Sequence, residues 1–209
     1  MHKNFRKNRK TVRQILNHHF DRFGKCDRIK MLASHLKMPT LFFEKKDEEK
    51  TMIPERLAAL REKMRAYGVD AYLVPTADYH ESEYVGTYFK ARTYITGFTG
   101  SAGTAVITQD EACLWTDGRY FVQAAKELAG TGVTLMKMGQ EGVPTVEEYL
   151  AANTKEGMTI GFDGRVVNEM LGEALEKTLP ERFLSYRSDL IGEIWSDRPA
   201  LSAEPVWIL

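Results

Sequence analysis

Histidine and cysteine are scarce in most of this 209-residue chain, and their scarcity narrows the chemistry it can perform. After residue 35 the only histidine is His80, and the only cysteines in the chain are Cys26 and Cys113. A metal centre that uses histidine needs several ligands close together, so no histidine-containing two-metal site is expected here, although an all-carboxylate site stays open. The cysteines form neither a CxxC motif nor a disulfide framework, which favours a reducing compartment and predicts a cytoplasmic protein.

Long apolar runs are also missing. No stretch approaches the ~18 consecutive apolar residues that indicate a membrane-spanning helix. The basic N-terminus is not followed by the apolar segment of a signal peptide. No membrane partner is therefore predicted.

The charge is divided unevenly although the formal net charge is zero. Residues 1–50 hold 14 Lys and Arg against 6 Asp and Glu, and the remainder holds 15 against 23. Because residues 1–51 lack sustained apolar periodicity, we predict a disordered or weakly helical extension. An alternative is that Met52 is the natural start. A nucleic-acid arm would suit the positive charge, but the aromatic residues are not interleaved as stacking platforms, so no nucleic-acid partner is predicted.

From residue 52 onward, helical and strand patterns alternate. A helix is predicted over 53–67, with Pro54 in its first turn and Gly68 just past its end. The segment "RTYITGFTGSAGTAVIT" is interpreted as a strand-like piece, a glycine-rich bend and a strand over 104–108. A hairpin turn at "QDEA" leads into the strand "CLWT", and a helix is predicted from about Gly118 to Leu128. Further strands are predicted at "DAYLVP", "VTLMKM", "MTIGFD" and "FLSYR", with helices at "TVEEYLAAN", "NEMLGEALEKTL" and "DLIGEIW".

This alternation over ~160 residues predicts a three-layer α/β/α domain. The hairpin at 104–116 makes the sheet mixed, although largely parallel. We predict three regions: an extension over 1–51, the α/β domain over 52–195, and a linker over 196–209.

The glycine-rich segment does not match a catalytic or nucleotide-binding motif. Ser101 lies between glycines, but the spacing is one residue short of G-x-S-x-G. The glycines at 97, 100 and 103 match neither G-x-G-x-x-G nor the P-loop, and a strand rather than a helix follows them. Tight backbone turns explain these glycines better than a nucleophile or a phosphate site.

Two polar motifs remain as candidates. In "TDGRY", Thr116 or Asp117 is predicted to cap the following helix, and by local pattern alone Arg119 is ordinary surface charge. In "DYHESEY", a lone His80 in a polar loop is more often structural than catalytic.

Taken together, five blocks resemble the N-terminal domain of cytosolic-type Xaa-Pro aminopeptidases, in the creatinase/prolidase/aminopeptidase P group. The blocks are "VPTADYHESEY", "YITGFTGSAGTAVIT", "LWTDGRYFVQAA", "TLMKMG" and "IWSDRPA", in family order from about Ile53 to Leu209. The resemblance implies a larger protein whose separate catalytic domain holds two Mn²⁺ ions on two Asp, one His and two Glu, with no cofactor in this chain. It also implies that this chain is a fragment lacking the catalytic residues and metal ligands, and that the linker over 196–209 leads toward a second domain absent from this chain.

The resemblance further implies a peptide-binding role. The arginine of "TDGRY" in this family is associated with peptide binding, which designates Arg119. The segment before "TGF" lies near substrate in family members, which adds Arg92, Thr93 and Phe98, and His80 matches a family position without an assigned role. The expected partners are a peptide with proline at its second position and a second copy of the chain in a homodimer. The alternatives are a non-catalytic binding module and the N-terminal domain of a prolidase or creatinase relative.

Overall fold

The structure is a computed structural model that describes residues 41–187 and 189–204, with side chains from residue 50 onward. The chain divides into two compact units, Met1–Asp47 and Glu48–Leu209. The first unit lies almost entirely outside the described residues, and so does the predicted extension up to residue 40. The described residues from Glu48 onward belong to the second unit.

Helices and strands alternate along the described chain, as the sequence pattern predicts. The strands are β1 (Ala71–Pro75), β2 (Thr104–Thr108), β3 (Ala112–Thr116), β4 (Thr134–Lys137), β5 (Thr159–Phe162) and β6 (Phe183–Ser185). The helices are α1 (Leu41–Tyr67), α2 (Ala91–Thr96), α3 (Phe121–Glu127), α4 (Val146–Asn153), α5 (Glu169–Thr178) and α6 (Leu190–Ile194), and a 3₁₀ turn covers Thr87–Phe89.

The described strands form one mixed sheet in the order β4-β3-β2-β1-β5-β6. The pairs β1–β2 and β2–β3 are antiparallel, whereas β3–β4, β1–β5 and β5–β6 are parallel. Five strands therefore run in one direction and β2 alone runs against them. The predicted hairpin and the mixed, largely parallel sheet are confirmed.

Two apolar clusters cover the two faces of the sheet, which makes the domain three-layered. Successive strand residues point to opposite faces, and on β1 this places Tyr72 and Val74 in one cluster and Ala71 and Leu73 in the other. Side chains from α1, α2, α3 and α6 complete the first cluster. Side chains from α4 and α5 complete the second.

The start of α1 differs from the prediction. The helix already includes Leu41, where the described residues begin, and it continues through Pro54, which lies in its interior rather than in its first turn. Proline has no N–H to donate to the carbonyl four residues earlier. The prediction therefore places Pro54 in the first turn, where that hydrogen bond is absent in any case. Burial of Ile53, Leu57 and Leu60 keeps the helix against the sheet despite the lost hydrogen bond.

The strand-like interpretation of "RTYIT" is wrong, because these residues belong to helix α2. Threonine, tyrosine and isoleucine favour strands locally. Arg92, Ile95 and Thr96 are all buried, and this i, i+3, i+4 spacing is helical. Gly97 ends the helix in the left-handed conformation, with φ of 77° and its N–H bonded to the Thr93 carbonyl.

The predicted cap of α3 is also wrong. The helix begins at Phe121, three residues later than predicted, and its N-cap residue Tyr120 makes no side-chain capping bond. The Thr116 hydroxyl donates instead to the Ala102 carbonyl over 2.8 Å. The Asp117 carboxylate closes the turn that precedes the helix by accepting the Arg119 N–H over 3.0 Å.

The predicted caps of the later helices are confirmed. Thr145 and Glu148 form a reciprocal capping box at α4. Asn168 accepts the Leu171 N–H at α5 over 2.7 Å. Short polar side chains ahead of an apolar helical pattern are strong local signals, so tertiary contacts are not needed to place these helix starts.

Candidate functional site

One edge of the sheet collects the loops that carry the predicted binding residues. Since β1, β3, β4, β5 and β6 run in the same direction, their carboxyl ends meet at this edge, and antiparallel β2 begins there. We call it the carboxyl edge. The edge receives the loop after β1 with His80, the glycine-rich loop before β2, and the turn after β3 with Arg119. In open α/β sheets this edge is the usual place for ligands.

Arg119 is held in a fixed orientation and remains accessible. Its Nε donates to Asp117 Oδ1 over 2.9 Å and its Nη2 to Oδ2 over 2.8 Å. The Arg119 side chain is nevertheless 67% exposed. Within the described residues its Nη1 group donates no hydrogen bond, so a planar pair of N–H groups is directed at the surroundings.

The electrostatics of this pair keep both groups charged. Hydrogen bonds from the Arg119 guanidinium lower the pKa of Asp117 to about 2. Asp117 in turn raises the pKa of Arg119, and the Glu83 carboxylate adds to the same effect.

Arg92 holds the glycine-rich loop beside Arg119 through hydrogen bonds to the loop's backbone carbonyls. Arg92 Nη1 donates to the Phe98 carbonyl over 2.7 Å, Nη2 donates to the Gly100 carbonyl, and Nε donates to Thr76 Oγ1 over 2.8 Å. The residue is 3% exposed, and this burial lowers the pKa of its guanidinium to about 10. Arg92 thus holds the loop rather than reaching solvent.

A buried carboxylate fastens the same loop from the side. Glu127, which is 6% exposed, accepts the Thr99 N–H over 2.9 Å and the Thr99 hydroxyl over 2.8 Å. Further along the loop, the Ser101 and Tyr120 hydroxyls share a hydrogen bond of 2.8 Å. Tyr120 directly follows Arg119, so this bond ties the loop to the arginine turn.

Close packing explains why glycine occupies position 100. A Cβ atom there would overlap the Phe98 ring and lie 2.8 Å from Tyr120 Cδ1. The loop therefore approaches both rings more closely than any other residue would permit.

The structure brings some of the predicted residues together and leaves others apart. Arg92 and Phe98 are both buried and in direct contact, with the guanidinium carbon 4.7 Å from the ring centre. Thr93 is half-buried on α2, and its carbonyl accepts the Gly97 N–H. His80 is exposed in the loop after β1, where its backbone N–H donates to Asp78 Oδ1 over 2.8 Å.

A second arginine fork was missed by the sequence analysis. The motif Asp-Gly-Arg recurs at 163–165, directly after β5. Arg165 Nε and Nη2 bond the two oxygens of Asp163 over 2.9 and 2.8 Å, and its Nη2 also meets Asp189 Oδ2 at 3.0 Å. The identical three letters at two strand ends were the signal that could have found it.

The described residues provide neither a membrane-spanning helix nor a cluster of metal ligands. None of their helices is long and apolar enough to cross a membrane. No group of three or more His, Cys, Asp or Glu among them lies close enough to hold a metal ion.

Residues 56–194 match the Creatinase/Prolidase N-terminal domain family, and the chain belongs to this family. The resemblance predicted from the sequence blocks is confirmed. Aminopeptidase P2 of Arabidopsis thaliana is 41% identical over 159 residues, which are 73% of this chain and 22% of that protein. A probable Xaa-Pro aminopeptidase P of Talaromyces marneffei is 44% identical over 158 residues, covering 74% of this chain and 24% of that protein.

A solved relative shares the fold as well as the sequence. The X-prolyl aminopeptidase of Caenorhabditis elegans, described as a cytosolic enzyme with a di-nuclear active site, has a TM-score of 0.69 and 37% identity, over 75% of this chain and 28% of that one. The Xaa-Pro dipeptidase of Bacillus anthracis, at 20% identity and a TM-score of 0.53, shares the fold. The chain spans about a quarter of the length of the curated relatives it matches.

Proposed function

We propose that this chain is the peptide-recognition domain of a cytoplasmic Xaa-Pro aminopeptidase, and that Arg119 binds the peptide. The observation that carries the proposal is an exposed guanidinium fork, held in place by Asp117 at the carboxyl edge. It lies in a domain whose relatives at 41% and 44% identity are named aminopeptidase P2 and probable Xaa-Pro aminopeptidase P. The peptide would carry proline at its second position.

The chemistry of Arg119 suits a peptide. A guanidinium presents paired N–H donors in one plane, which match a carboxylate or successive carbonyl oxygens. Because Asp117 already fixes the side chain, less conformational freedom is lost when the peptide binds. Asp117 thereby acts as a positioning residue for Arg119.

The other predicted binding residues receive different roles in this proposal. Arg92 and Phe98 are buried, so we assign them to shaping the glycine-rich loop rather than to contacting the peptide. Thr93 and His80 stay predictions as peptide contacts, and the exposure of His80 at the carboxyl edge is compatible with one.

Hydrolysis is assigned to the parts of the relatives that this chain does not cover. The described residues contain no ligand cluster for a metal ion, so no metal-dependent step is assigned to them, and a pair of Mn²⁺ ions elsewhere in the parent protein stays a prediction. From the family resemblance we also infer that the domain borders the active-site cleft, restricts entry to peptide ends, and takes part in a homodimer. The 209-residue chain with added Mn²⁺ should not cleave X-Pro peptides, and robust cleavage would contradict this assignment.

Peptide binding can be tested on the 209-residue chain by NMR titration with Ala-Pro-Ala. We expect backbone shifts at residues 117–121 and in the glycine-rich loop. Arg119→Ala should weaken binding by about tenfold or more, because hydrogen bonds to charged groups contribute roughly 1.5–3 kcal/mol. Arg119→Lys keeps the charge without the fork and should give an intermediate loss.

A matched control is available at the opposite edge. Arg65 is an exposed arginine in the last turn of α1, ahead of the amino end of β1. Arg65→Ala should leave the affinity unchanged. Equal affinity in wild type and Arg119→Ala, or no saturable shifts at all, would refute the proposal.

A further inference from the structure

The carboxyl edge carries the same arginine fork twice. In both Asp-Gly-Arg motifs the arginine donates its own N–H, Nε and Nη2 to the aspartate two residues earlier. Both arginines are accessible, with side chains 67% and 49% exposed. Within the described residues, neither Nη1 group donates a hydrogen bond, so each fork has N–H donors left for a ligand.

The strand order sets the distance between the two forks. One fork follows β3 and the other follows β5, and β2 and β1 lie between these strands. Neighbouring strands are ~4.8 Å apart, so three spacings place the forks ~14 Å from each other along the edge. An extended peptide rises ~3.3 Å per residue, and about four to five residues would span this distance.

The loop after β1 occupies the interval and carries exposed aromatic side chains. The loop follows β1, which lies between β2 and β5 in the sheet, and its Tyr79 lies 5.8 Å from the Arg165 guanidinium. Glu83 of the same loop contributes to the raised pKa of Arg119. Tyr84 is 77% exposed and Tyr79 is 42% exposed. Aromatic faces that are open to solvent pack well against proline rings and apolar side chains of extended peptides.

One hydrogen bond joins the loop to the start of α5, and further contacts link residues within the loop. Asp78 Oδ1 accepts the Ser82 N–H over 3.0 Å, and Glu81 accepts a hydrogen bond from Asn168 at the start of α5. Tyr79 packs edge-on against Phe89, with ring centres 4.7 Å apart.

From this arrangement we propose a second peptide subsite at Arg165, joined to the Arg119 site by Tyr84 and Tyr79. The ligand is an extended peptide that lies along the carboxyl edge and extends beyond the residues held at Arg119. Arg165 Nη1 donates to the distal carbonyl groups or the terminal carboxylate, and the tyrosine rings pack against the intervening residues. The proposal rests on the proposed function, because it extends the same peptide. A second subsite implies that the domain binds longer peptides more tightly, a preference that the Arg119 fork alone would not produce.

A length series on the 209-residue chain tests this subsite. The peptides are Ala-Pro-Ala, which is too short to reach Arg165, and Ala-Pro-Ala-Ala-Ala-Ala, which is long enough. We expect the longer peptide to bind wild type more tightly by about tenfold or more, because an added hydrogen bond to a charged group alone contributes about that much. Tyr84→Ser should remove most of that gain and leave the affinity for Ala-Pro-Ala unchanged.

Two further variants complete the design. Arg165→Lys keeps a positive charge near Asp163 and Asp189 but lacks the fork, and it should also remove the length gain. Phe183→Ser is the matched control, because Phe183 is 65% exposed at the amino end of β6, on the opposite edge. It should retain the full gain.

The outcomes separate this proposal from the proposed function. If both peptides bind equally well through Arg119, the second subsite is refuted and the Arg119 site stands. If the length gain survives both Tyr84→Ser and Arg165→Lys, the longer peptide runs elsewhere and the subsite is again refuted. If neither peptide binds, the Arg119 proposal fails and the subsite fails with it.

Discussion

Replacement of Arg92 by methionine should destabilise the domain strongly, because this arginine is the buried donor for the glycine-rich loop. The variant keeps a long side chain but removes the donors to the Phe98 and Gly100 carbonyls and to Thr76. A buried acceptor that loses its partner costs about 1–3 kcal/mol, so two carbonyls give a loss of about 2–6 kcal/mol. The lower part of that range is expected, since methionine also avoids the penalty of burying a charge, the same burial that lowers the pKa of Arg92 to about 10.

Thermal unfolding followed by circular dichroism measures this effect. For domains of this size, 1 kcal/mol corresponds to a change in Tm of about 2–4 °C, so Arg92→Met should lower the Tm by roughly 5–15 °C. Arg65→Ala, at an exposed site, should change stability by no more than about 0.5 kcal/mol. A fall in Tm for Arg92→Met that is no larger than for Arg65→Ala would refute the view that Arg92 holds the loop.

Three further predictions concern the loop, a helix cap and the arginine fork. Gly100→Ala should destabilise the domain by about 1–3 kcal/mol, because the added Cβ overlaps neighbouring rings. Gly172→Ala in helix α5 is the control: its added Cβ would meet no atom within 4 Å, so it should be neutral or stabilising by up to about 1 kcal/mol. Urea unfolding compares the two variants, and equal losses of stability would contradict this account. Thr145→Ala removes the capping box of α4 and should cost about 1 kcal/mol in the same assay, with no loss being the contrary result. NMR titration of Asp117 should give a pKa of about 2, and in Arg119→Ala this pKa should return toward its ordinary value of 3.8. Since folding lowers the pKa, the fork is intact above pH ~4 and is lost as the pH falls toward 2. An Asp117 pKa that does not change in the variant would contradict the fork.

Much of the fold could be predicted because its signals are local. The capping side chains Thr145 and Asn168 and the polar turn between β2 and β3 each act within a few residues of themselves. The short apolar strands alternate with helical patterns, and such alternation has few compact solutions other than helices on both faces of one sheet.

The errors arose where distant contacts overrode local preference. Helix α2 contains strand-favouring residues, yet burial of Arg92 and Ile95 against the loop and the sheet favours the helix. Helix α1 continues through Pro54 because packing of its apolar face compensates for one missing hydrogen bond. The helix after Asp117 starts late because that carboxylate bonds Arg119 instead of capping the helix.

The candidate site divides in the same way. Arg119 was designated from the sequence through its family resemblance, and its exposure agrees with that designation. The structural role of Arg92 could not be inferred, because its acceptors on the glycine-rich loop are set by how α2 packs beneath β2. The role of Glu127 could not be inferred from the sequence either, since a glutamate at the end of a helix is normally solvent-exposed. Only the packing of α3 brings its carboxylate to Thr99.

The sequence by itself determined the two arginine forks, because Asp-Gly-Arg closes a hydrogen-bonded turn between residues two apart and needs no distant partner. It also determined the helix caps and the alternation of strands and helices, which depend on neighbouring residues alone. Only the tertiary structure decided that both forks lie on one edge, because that depends on β5 crossing to the far side of β1. The tertiary structure also decided that Arg165 forms an ion pair with Asp189 while the Arg119 side chain remains exposed. The surroundings of a charged group are set by chain segments far away in the sequence.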